Sequence, residues 1–306
     1  MDRRNLLLST AALAVGGTAA MSGRGSAGVQ DRLGRPADGS FLETTDGTRL
    51  FFRDWGSGAP LVFLHAWALD ADMWNYQTAY FAERGWRCLS YDRRGHGRSE
   101  QPYDGYDADT LADDLAAVIE GHDLDNVTLI AHSMGGCEAV RYLSRHGSGR
   151  VARLILLAPT LPYVLKTETN PDGLDSTMIE AVREMWRDDF PKWVADNERP
   201  FVTAETSDAM VEWLRQMMLS CPLHIALECN RMLVETDFRD DCAGVDRPTL
   251  LIHGDRDVSA PLPLTGMRAA DLIPGANLHV YEGAPHGLFI THKERLNADI
   301  ATFLSG

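Results

Sequence analysis

A single serine set between small residues constrains this chain more than any other feature of its sequence. It stands in the segment Ala131-His132-Ser133-Met134-Gly135-Gly136, between the apolar run 126–130 and the amphipathic run 137–146. The first run predicts a buried strand and the second predicts a helix. Small neighbours allow a sharp, strained turn from strand into helix that presents the serine hydroxyl. Residues 131–136, which we call the elbow, therefore predict a nucleophilic Ser133, although Ala131 replaces the glycine that usually opens such turns.

A nucleophilic serine needs a histidine that takes its proton and an acid that orients the histidine. Both residue types occur later in the chain, each in a loop that follows a predicted strand. Residues 253–257, His-Gly-Asp-Arg-Asp, follow the strand 248–252, and His286 follows the strand 278–281. Open α/β sheets carry their reactive groups in such loops, past the carboxyl ends of the strands. The order along the chain predicts His286 as the base and an aspartate of 253–257 as the acid.

The tetrahedral intermediate of acyl transfer also needs main-chain N–H groups directed at its negative oxygen. One of them comes from the residue after the nucleophile, which is Met134, and the other from the loop after an early strand. The strand 60–64 is followed by His65-Ala66-Trp67, so we expect the second N–H to be that of Trp67. His65 and His132 flank these two places, and we expect them to hydrogen-bond the backbone there.

Together these parts resemble the α/β-hydrolase superfamily, and most closely its branch of cofactor-free bacterial haloperoxidases, perhydrolases and aryl esterases. The resemblance runs from about residue 45 to the end of the chain. It is carried by the segments 64–74, 91–99, 131–136, 166–167, 170–174, 281–288 and 291–299. It implies the α/β-hydrolase fold and a reaction that uses no metal or cofactor. It assigns the acid to Asp257, the second aspartate of Gly-x-x-Asp, with Asp255 as the alternative and turn formation as the other role for Asp255.

Two positions in the loop after strand 60–64 depart from the family pattern. Ala66 stands where the branch usually has glycine, so the backbone there either suits a β-carbon or the loop shifts. Ala68 stands where efficient peracid formers carry proline, which fixes the local backbone and could hold a carbonyl toward hydrogen peroxide. The absence of that proline favours an esterase over a perhydrolase.

Strands alternate with helical segments along most of the chain, which predicts a mostly parallel central sheet flanked by helices. Residues 41–43 and 50–53 are expected to form an antiparallel opening. The main strands are expected at 61–64, 88–91, 127–130, 154–157, 250–252 and 278–281. The hydrolase domain is thus expected to span 41–306.

The alternation stops between about 159 and 246, where helical patterns occur without a clear strand. We interpret this stretch as a helical cap inserted after the sixth strand and lying over the serine. Trp67, Met134, Trp186 and Trp213 are the residues expected to touch substrate. Most other apolar residues of the cap are expected to pack it onto the body of the domain.

The first forty residues are expected to be a targeting segment and a linker rather than part of the folded domain. Arg3 and Arg4 precede the apolar run 6–20, which is typical of a secretory signal peptide over 1–20. The paired arginines favour the twin-arginine export route, and the alternative is an ordinary secretion signal. Residues 21–40 are rich in glycine and small polar residues, which predicts a disordered linker. We therefore expect an exported protein, periplasmic or secreted.

Composition narrows the partners of this 306-residue chain. Its formal net charge of −15 argues against nucleic acids and anionic membranes as partners. The five cysteines lack Cys-x-x-Cys spacing, so a zinc site is not expected, although a pair among Cys221, Cys229 and Cys242 could form a disulfide in an oxidising compartment. The expected partner is a small-molecule ester, and the sequence leaves a homo-oligomer open.

The expected reaction is ester hydrolysis through an acyl-enzyme on Ser133, with perhydrolysis or cofactor-free haloperoxidase activity as a side reaction. Two alternatives stay open at this point. The same triad could cleave a lactone or a carbon–carbon bond, or the fold could serve a small-molecule-binding protein without catalysis. Dehalogenases and epoxide hydrolases of this superfamily use an aspartate nucleophile, and Ser133 disfavours both.

Overall fold

A computed structural model describes residues 40–306. Its strands form one eight-stranded sheet in the order β1-β2-β4-β3-β5-β6-β7-β8. The strands are β1 (Phe41–Glu43), β2 (Arg49–Trp55), β3 (Pro60–Leu64), β4 (Arg87–Tyr91), β5 (Val127–His132), β6 (Val151–Leu157), β7 (Thr249–Gly254) and β8 (Asn277–Tyr281). The signal peptide expected at 1–20 lies outside the described residues, as does the linker expected at 21–40 except for Ser40.

Helices connect most of these strands. They are α1 (Asn75–Ala82), α2 (Ala108–Gly121), α3 (Met134–His146), α4 (Ser176–Phe201), α5 (Asp208–Ser220), α6 (Leu223–Glu235), α7 (Arg239–Ala243), α8 (Gly266–Leu272), α9 (Leu288–Thr291) and α10 (Lys293–Ser305). None of the helices within residues 40–306 has the length and apolar character needed to cross a bilayer.

The sheet is antiparallel only at its opening, where β1 pairs with β2 and β2 pairs with β4. All the other pairs are parallel, from β4 and β3 through to β7 and β8. This arrangement confirms the α/β-hydrolase fold expected from the sequence. The strand order reverses at β3, which has β4 on one side and β5 on the other. In open α/β sheets such a reversal opens a crevice at the carboxyl ends of the strands.

The sheet has an apolar core on each of its two faces. Because side chains alternate along a strand, Leu129 of β5 belongs to one buried cluster and the next residue, Ile130, belongs to the other. Every residue of β5 is buried. A strand covered on both faces reads as a continuous apolar run, which is the pattern that identified it in the sequence.

Four helices, α4 to α7, occupy the segment between β6 and β7. The longest of them, α4, is interrupted at Asp189, whose backbone has φ −155° and ψ 80°. Pro191 follows two residues later. Proline lacks the N–H that an α-helix needs and its ring collides with the preceding turn, which explains a break at this point.

Two glycines permit the loops at the carboxyl edge of the sheet to touch. A β-carbon on Gly254, at the end of β7, would lie 2.0 Å from the carbonyl oxygen of Ala284 in the loop after β8. A β-carbon on Gly135 would lie 2.7 Å from the carbonyl oxygen of Leu64, the last residue of β3. The absence of a side chain at these positions therefore brings the loop after β7 against the loop after β8, and the elbow against the end of β3.

Candidate active site

Ser133 alone makes the turn from β5 into α3. Its backbone has φ 54° and ψ −115°, a conformation that non-glycine residues seldom adopt. The Ser133 N–H donates to the carbonyl oxygen of Leu157 at the end of β6, at 2.9 Å. The helix begins at Met134, three residues before the expected start at 137, because a single residue completes the reversal.

Asp257 and His286 meet although they follow different strands. The Asp257 Oδ2 atom lies 2.6 Å from Nδ1 of His286. Its other oxygen accepts the N–H groups of Ser259 and Ala260, at 2.8 and 2.7 Å. Burial alone would raise the pKa of the Asp257 carboxyl, but the nearby His286 and a hydrogen bond from His253 hold it below its ordinary value. The carboxylate is therefore ionised at neutral pH and fixed in orientation toward the histidine.

Asp255 serves the fold of this region instead. Its carboxylate accepts the N–H of Gly283 at 2.7 Å, which ties the loop after β7 to the loop after β8. Of the two aspartates that the sequence left open, Asp257 is the one that contacts His286.

The Ser133 hydroxyl contacts a residue that the sequence analysis did not select. Its Oγ lies 3.2 Å from Oγ1 of Thr160, and within residues 40–306 no hydrogen bond joins Ser133 Oγ to a ring nitrogen of His286. Contacts between catalytic groups are often long before substrate binds. Thr160 follows β6, the neighbour of β5, so its place past the carboxyl end of a strand was the only signal in the sequence.

The two N–H groups expected to bind the oxyanion are available. Within residues 40–306, the main-chain N–H groups of Trp67 and Met134 donate to no protein acceptor. The positive φ considered for Ala66 occurs at another residue of the loop. Ala66 does not have a positive φ, whereas Ala68 has φ 56°. Alanine pays about 1–2 kcal/mol for a left-handed conformation, and proline cannot adopt it.

A buried arginine supports the loop after β3, which carries the Trp67 N–H. Arg93 is about 1 % exposed and forms an ion pair with Glu138 of α3, which is equally buried. Its Nη2 donates to the His65 carbonyl oxygen at 2.7 Å, and its main-chain N–H donates to His65 Nε2 at 2.9 Å. Burial and the Arg93 charge lower the pKa of His65, so the ring is neutral and can accept this bond.

His65 makes the backbone contact expected in its own loop, whereas His132 contacts the backbone of the loop after β8 rather than that of the elbow. His65 Nδ1 lies 2.8 Å from the carbonyl oxygen of Ala66, and His132 Nε2 lies 2.9 Å from that of His286. Burial lowers the pKa of His132 to about 3, so its ring is neutral and can donate to this carbonyl group. His132 thus fixes the backbone of the histidine that pairs with Asp257.

Trp67 and Trp186 come together beside the site. Their rings stack with centroids 4.8 Å apart, and Trp67 Nε1 donates to the carbonyl oxygen of Ala226 in α6 at 2.8 Å. Trp213 does not join them, since its ring meets the edge of Tyr76 at 6.4 Å. The difference arises because Trp186 lies on α4 and Trp213 on α5, which the sequence could not orient.

Phe201 is a second residue near the site that sequence reasoning missed. Its ring meets the edge of His286 with centroids 5.5 Å apart, and its carbonyl oxygen accepts the N–H of Gly287 at 2.8 Å. A β-carbon on Gly287 would lie 2.5 Å from that oxygen, so glycine is needed for the contact. The end of α4 therefore packs directly on the histidine loop.

The disulfide that the sequence left open does not form. All five cysteines are buried thiols, including Cys221, Cys229 and Cys242. Burial raises the pKa of Cys221 and Cys242 to about 12, which keeps these thiols protonated and unreactive.

An α/β hydrolase site is defined by three features at the carboxyl edge of this parallel sheet: the strained serine, the aspartate–histidine pair and the two available N–H groups. Residues 59–293 match the family described as the alpha/beta hydrolase fold, and the chain belongs to this family.

Comparison with similar proteins identifies the branch of the family to which the chain is similar. It is 39 % identical to a non-heme chloroperoxidase of Kitasatospora aureofaciens over 86 % of this chain and 98 % of that protein. It is 34 % identical to a bifunctional esterase/perhydrolase of Acinetobacter calcoaceticus, over 86 % and 99 % of the two chains. Among solved structures, an esterase from Exiguobacterium antarcticum superposes with a TM-score of 0.84 at 30 % identity, covering 87 % and 99 %. The branch expected from the sequence is confirmed.

The buried Arg93–Glu138 pair yields a stability prediction. Arg93→Met leaves the Glu138 carboxyl buried without its charged partner, and we expect the free energy of unfolding to fall by about 3–5 kcal/mol. Adding Glu138→Gln removes that charge while keeping an acceptor for the Tyr91 hydroxyl, and should recover much of the loss. Urea unfolding of both variants measures the effect.

Arg145→Met is the matched control for this pair. Arg145 bonds Asp113 on the exposed surface, where an ion pair contributes little, so its unfolding curve should stay close to that of the unchanged protein. A single Arg93→Met variant that is as stable as this control would contradict the supporting role of Arg93.

Proposed function

We propose that this chain is a serine esterase that hydrolyses carboxylic esters through an acyl-enzyme. The observation that carries the proposal is the Asp257–His286 contact at 2.6 Å, together with a serine held at φ 54° at the turn after β5. A histidine oriented by an aspartate, in one site with a serine on a strained turn, is the arrangement that activates a hydroxyl for attack on a carbonyl carbon. The similarity to an esterase/perhydrolase and to haloperoxidases supports the same class of chemistry.

In the acylation step, Ser133 Oγ forms a bond to the ester carbonyl carbon while its proton passes to Nε2 of His286. Asp257 holds the opposite ring nitrogen and stabilises the imidazolium that forms. The N–H groups of Trp67 and Met134 receive the negative oxygen of the tetrahedral intermediate. Collapse of the intermediate breaks the bond to the alcohol oxygen, which takes the proton from His286.

In the deacylation step, His286 removes a proton from water, and the resulting oxygen attacks the acyl carbon. The second intermediate collapses by breaking the bond to Ser133 Oγ, which recovers its proton from His286. The products are a carboxylic acid and the free enzyme. Hydrogen peroxide in place of water would give a peracid by the same steps, and a peracid can oxidise halide without a metal.

Replacement of the serine tests the proposal. We expect Ser133→Ala to lower the hydrolysis of short nitrophenyl esters by about 10⁴-fold or more, because no other group can form the acyl-enzyme. Release of nitrophenol, followed by absorbance, measures it. Ser144→Ala on the exposed face of α3 is the matched control and should keep full activity. Equal turnover in the two variants would rule out Ser133 as nucleophile.

Water is proposed to be the preferred acceptor. Ala68 has φ 56°, which a proline cannot adopt, so the loop beside Trp67 differs from one built on proline. With an ester and hydrogen peroxide together, we expect much more carboxylic acid than peracid, measured by product analysis and by bromide oxidation.

Two variants of Ala68 sharpen that comparison. Ala68→Pro must move the loop, so we expect lower stability and a changed ratio of peracid to acid. Ala68→Gly relieves the left-handed alanine, worth about 1 kcal/mol, and should leave the ratio unchanged. Peracid as the main product of the unchanged protein would contradict the preference for water.

Export is proposed from the sequence of the leader. Arg3 and Arg4 before an apolar run support the twin-arginine route. We expect replacement of both by lysine to keep the precursor inside the cell, as measured by immunoblotting of cell fractions. Arg24→Lys, in the expected linker, is the control and should be exported. Export of the double lysine variant would favour the ordinary secretion signal.

A further inference from the structure

The hydroxyl of Thr160 has one hydrogen-bond partner within residues 40–306, and that partner is the nucleophile. Its Oγ1 lies 3.2 Å from Ser133 Oγ, and both residues are less than 10 % exposed. A buried hydroxyl needs a partner, because leaving it without one costs free energy. Thr160 therefore contacts a reacting atom, although neither the aspartate–histidine pair nor the oxyanion groups include it.

The backbone at Thr160 is held by contacts to β7, to the elbow and to α3. Ala158 has φ 42°, which turns the chain at the end of β6, and its N–H donates to Ile252 of β7 at 2.8 Å. The Thr160 N–H reaches the Ser133 carbonyl oxygen at 3.5 Å, and the Thr160 carbonyl oxygen accepts the Cys137 thiol at 3.5 Å. The hydroxyl is thus held beside Ser133 by contacts to the elbow and to α3, rather than by its own rotamer alone.

We propose that Thr160 is a further catalytic residue that donates its hydroxyl hydrogen bond to Ser133 Oγ during both steps of the reaction. The proposal rests on the serine esterase function proposed above. In acylation the Ser133 proton goes to His286, one lone pair of Oγ attacks the carbonyl carbon, and the other accepts from Thr160. In deacylation the same oxygen leaves the acyl carbon with this hydrogen bond in place and takes its proton from His286. Thr160 keeps its own proton throughout.

The chemical reason is that Ser133 Oγ carries partial negative charge in both transition states. A hydrogen bond to a charged oxygen is stronger than one to a neutral hydroxyl, so the contact stabilises the transition states more than the resting enzyme. It also explains the resting contact with Thr160, which holds the serine side chain until substrate arrives. A threonine that only filled space would give no such difference.

Isosteric replacement separates these two roles. Thr160→Val keeps the shape and removes the hydroxyl, while Thr160→Ser keeps the hydroxyl and removes a methyl group. We expect the valine variant to acylate about tenfold more slowly, equivalent to about 1.4 kcal/mol, with little change in KM. The serine variant should recover most of the rate. Thr128→Val in β5 is the matched control, since Thr128 is also buried but lies five residues from Ser133, about 16 Å along the strand.

Two measurements report on Ser133 directly. The burst of nitrophenol from an activated ester gives the acylation rate, and the rate of inactivation by diethyl nitrophenyl phosphate gives the reactivity of the serine without ester turnover. Both should fall together in Thr160→Val and recover in Thr160→Ser. Thr160→Ala provides the same comparison if the valine variant does not fold.

The outcomes are distinguishable. Unchanged burst and inactivation rates in Thr160→Val would overturn the role of Thr160 while leaving the esterase function intact. Equal losses in the valine and serine variants would show that the methyl group and packing matter, and would also overturn the proposal. If the unchanged protein neither reacts with the phosphate nor hydrolyses any ester, the proposed function itself fails.

Discussion

The turn at Ser133 is the constraint on which the rest of the site depends. A non-glycine residue whose backbone is held at φ 54° is strained, so the structure on both sides must stabilise it. β5 supplies a strand that is buried along its whole length, and α3 begins at the next residue. The bond from Ser133 N–H to Leu157 adds a third support from β6. The free energy that offsets the strain therefore comes from burial of the flanking elements and from this backbone hydrogen bond.

The other parts of the site are brought to this turn by close contacts of backbone, which only glycine permits. Gly135 admits the end of β3, and with it the loop that carries the Trp67 N–H. Gly254 leaves room for the backbone of the loop after β8, which carries His286, and Gly287 leaves room for the end of α4. Each loop is thus located by contact with a neighbouring loop, strand or helix. The geometry of the site therefore depends on the strand order and on glycine at these three positions.

The sequence was sufficient for everything that depends on order along the chain. The eight strands, the aspartate of Gly-x-x-Asp that meets His286, and the backbone contact of His65 could all be predicted in this way. It was insufficient where residues distant in sequence meet through packing. Thr160 and Phe201 contact the site through loops and helices whose orientation no periodicity reveals. For the same reason the sequence could not show that the ring of Trp213 meets Tyr76 rather than Trp67 or Trp186. The strained alanine was sought at Ala66 but is Ala68, because φ depends on the folded loop rather than on residue type.

Trp67 shows how the helices between β6 and β7 are joined to the loop after β3. Its main-chain N–H is available within the described residues, while its indole N–H is bound to Ala226 of α6 and its ring is stacked on Trp186 of α4. The same residue is therefore fastened to two helices of the segment between β6 and β7. Arg93 also holds this loop, because its Nη2 donates to the His65 carbonyl oxygen. Because the loop is held both by these helices and by Arg93, a movement of α6 large enough to admit a bulky substrate must also act on the N–H that would stabilise its transition state.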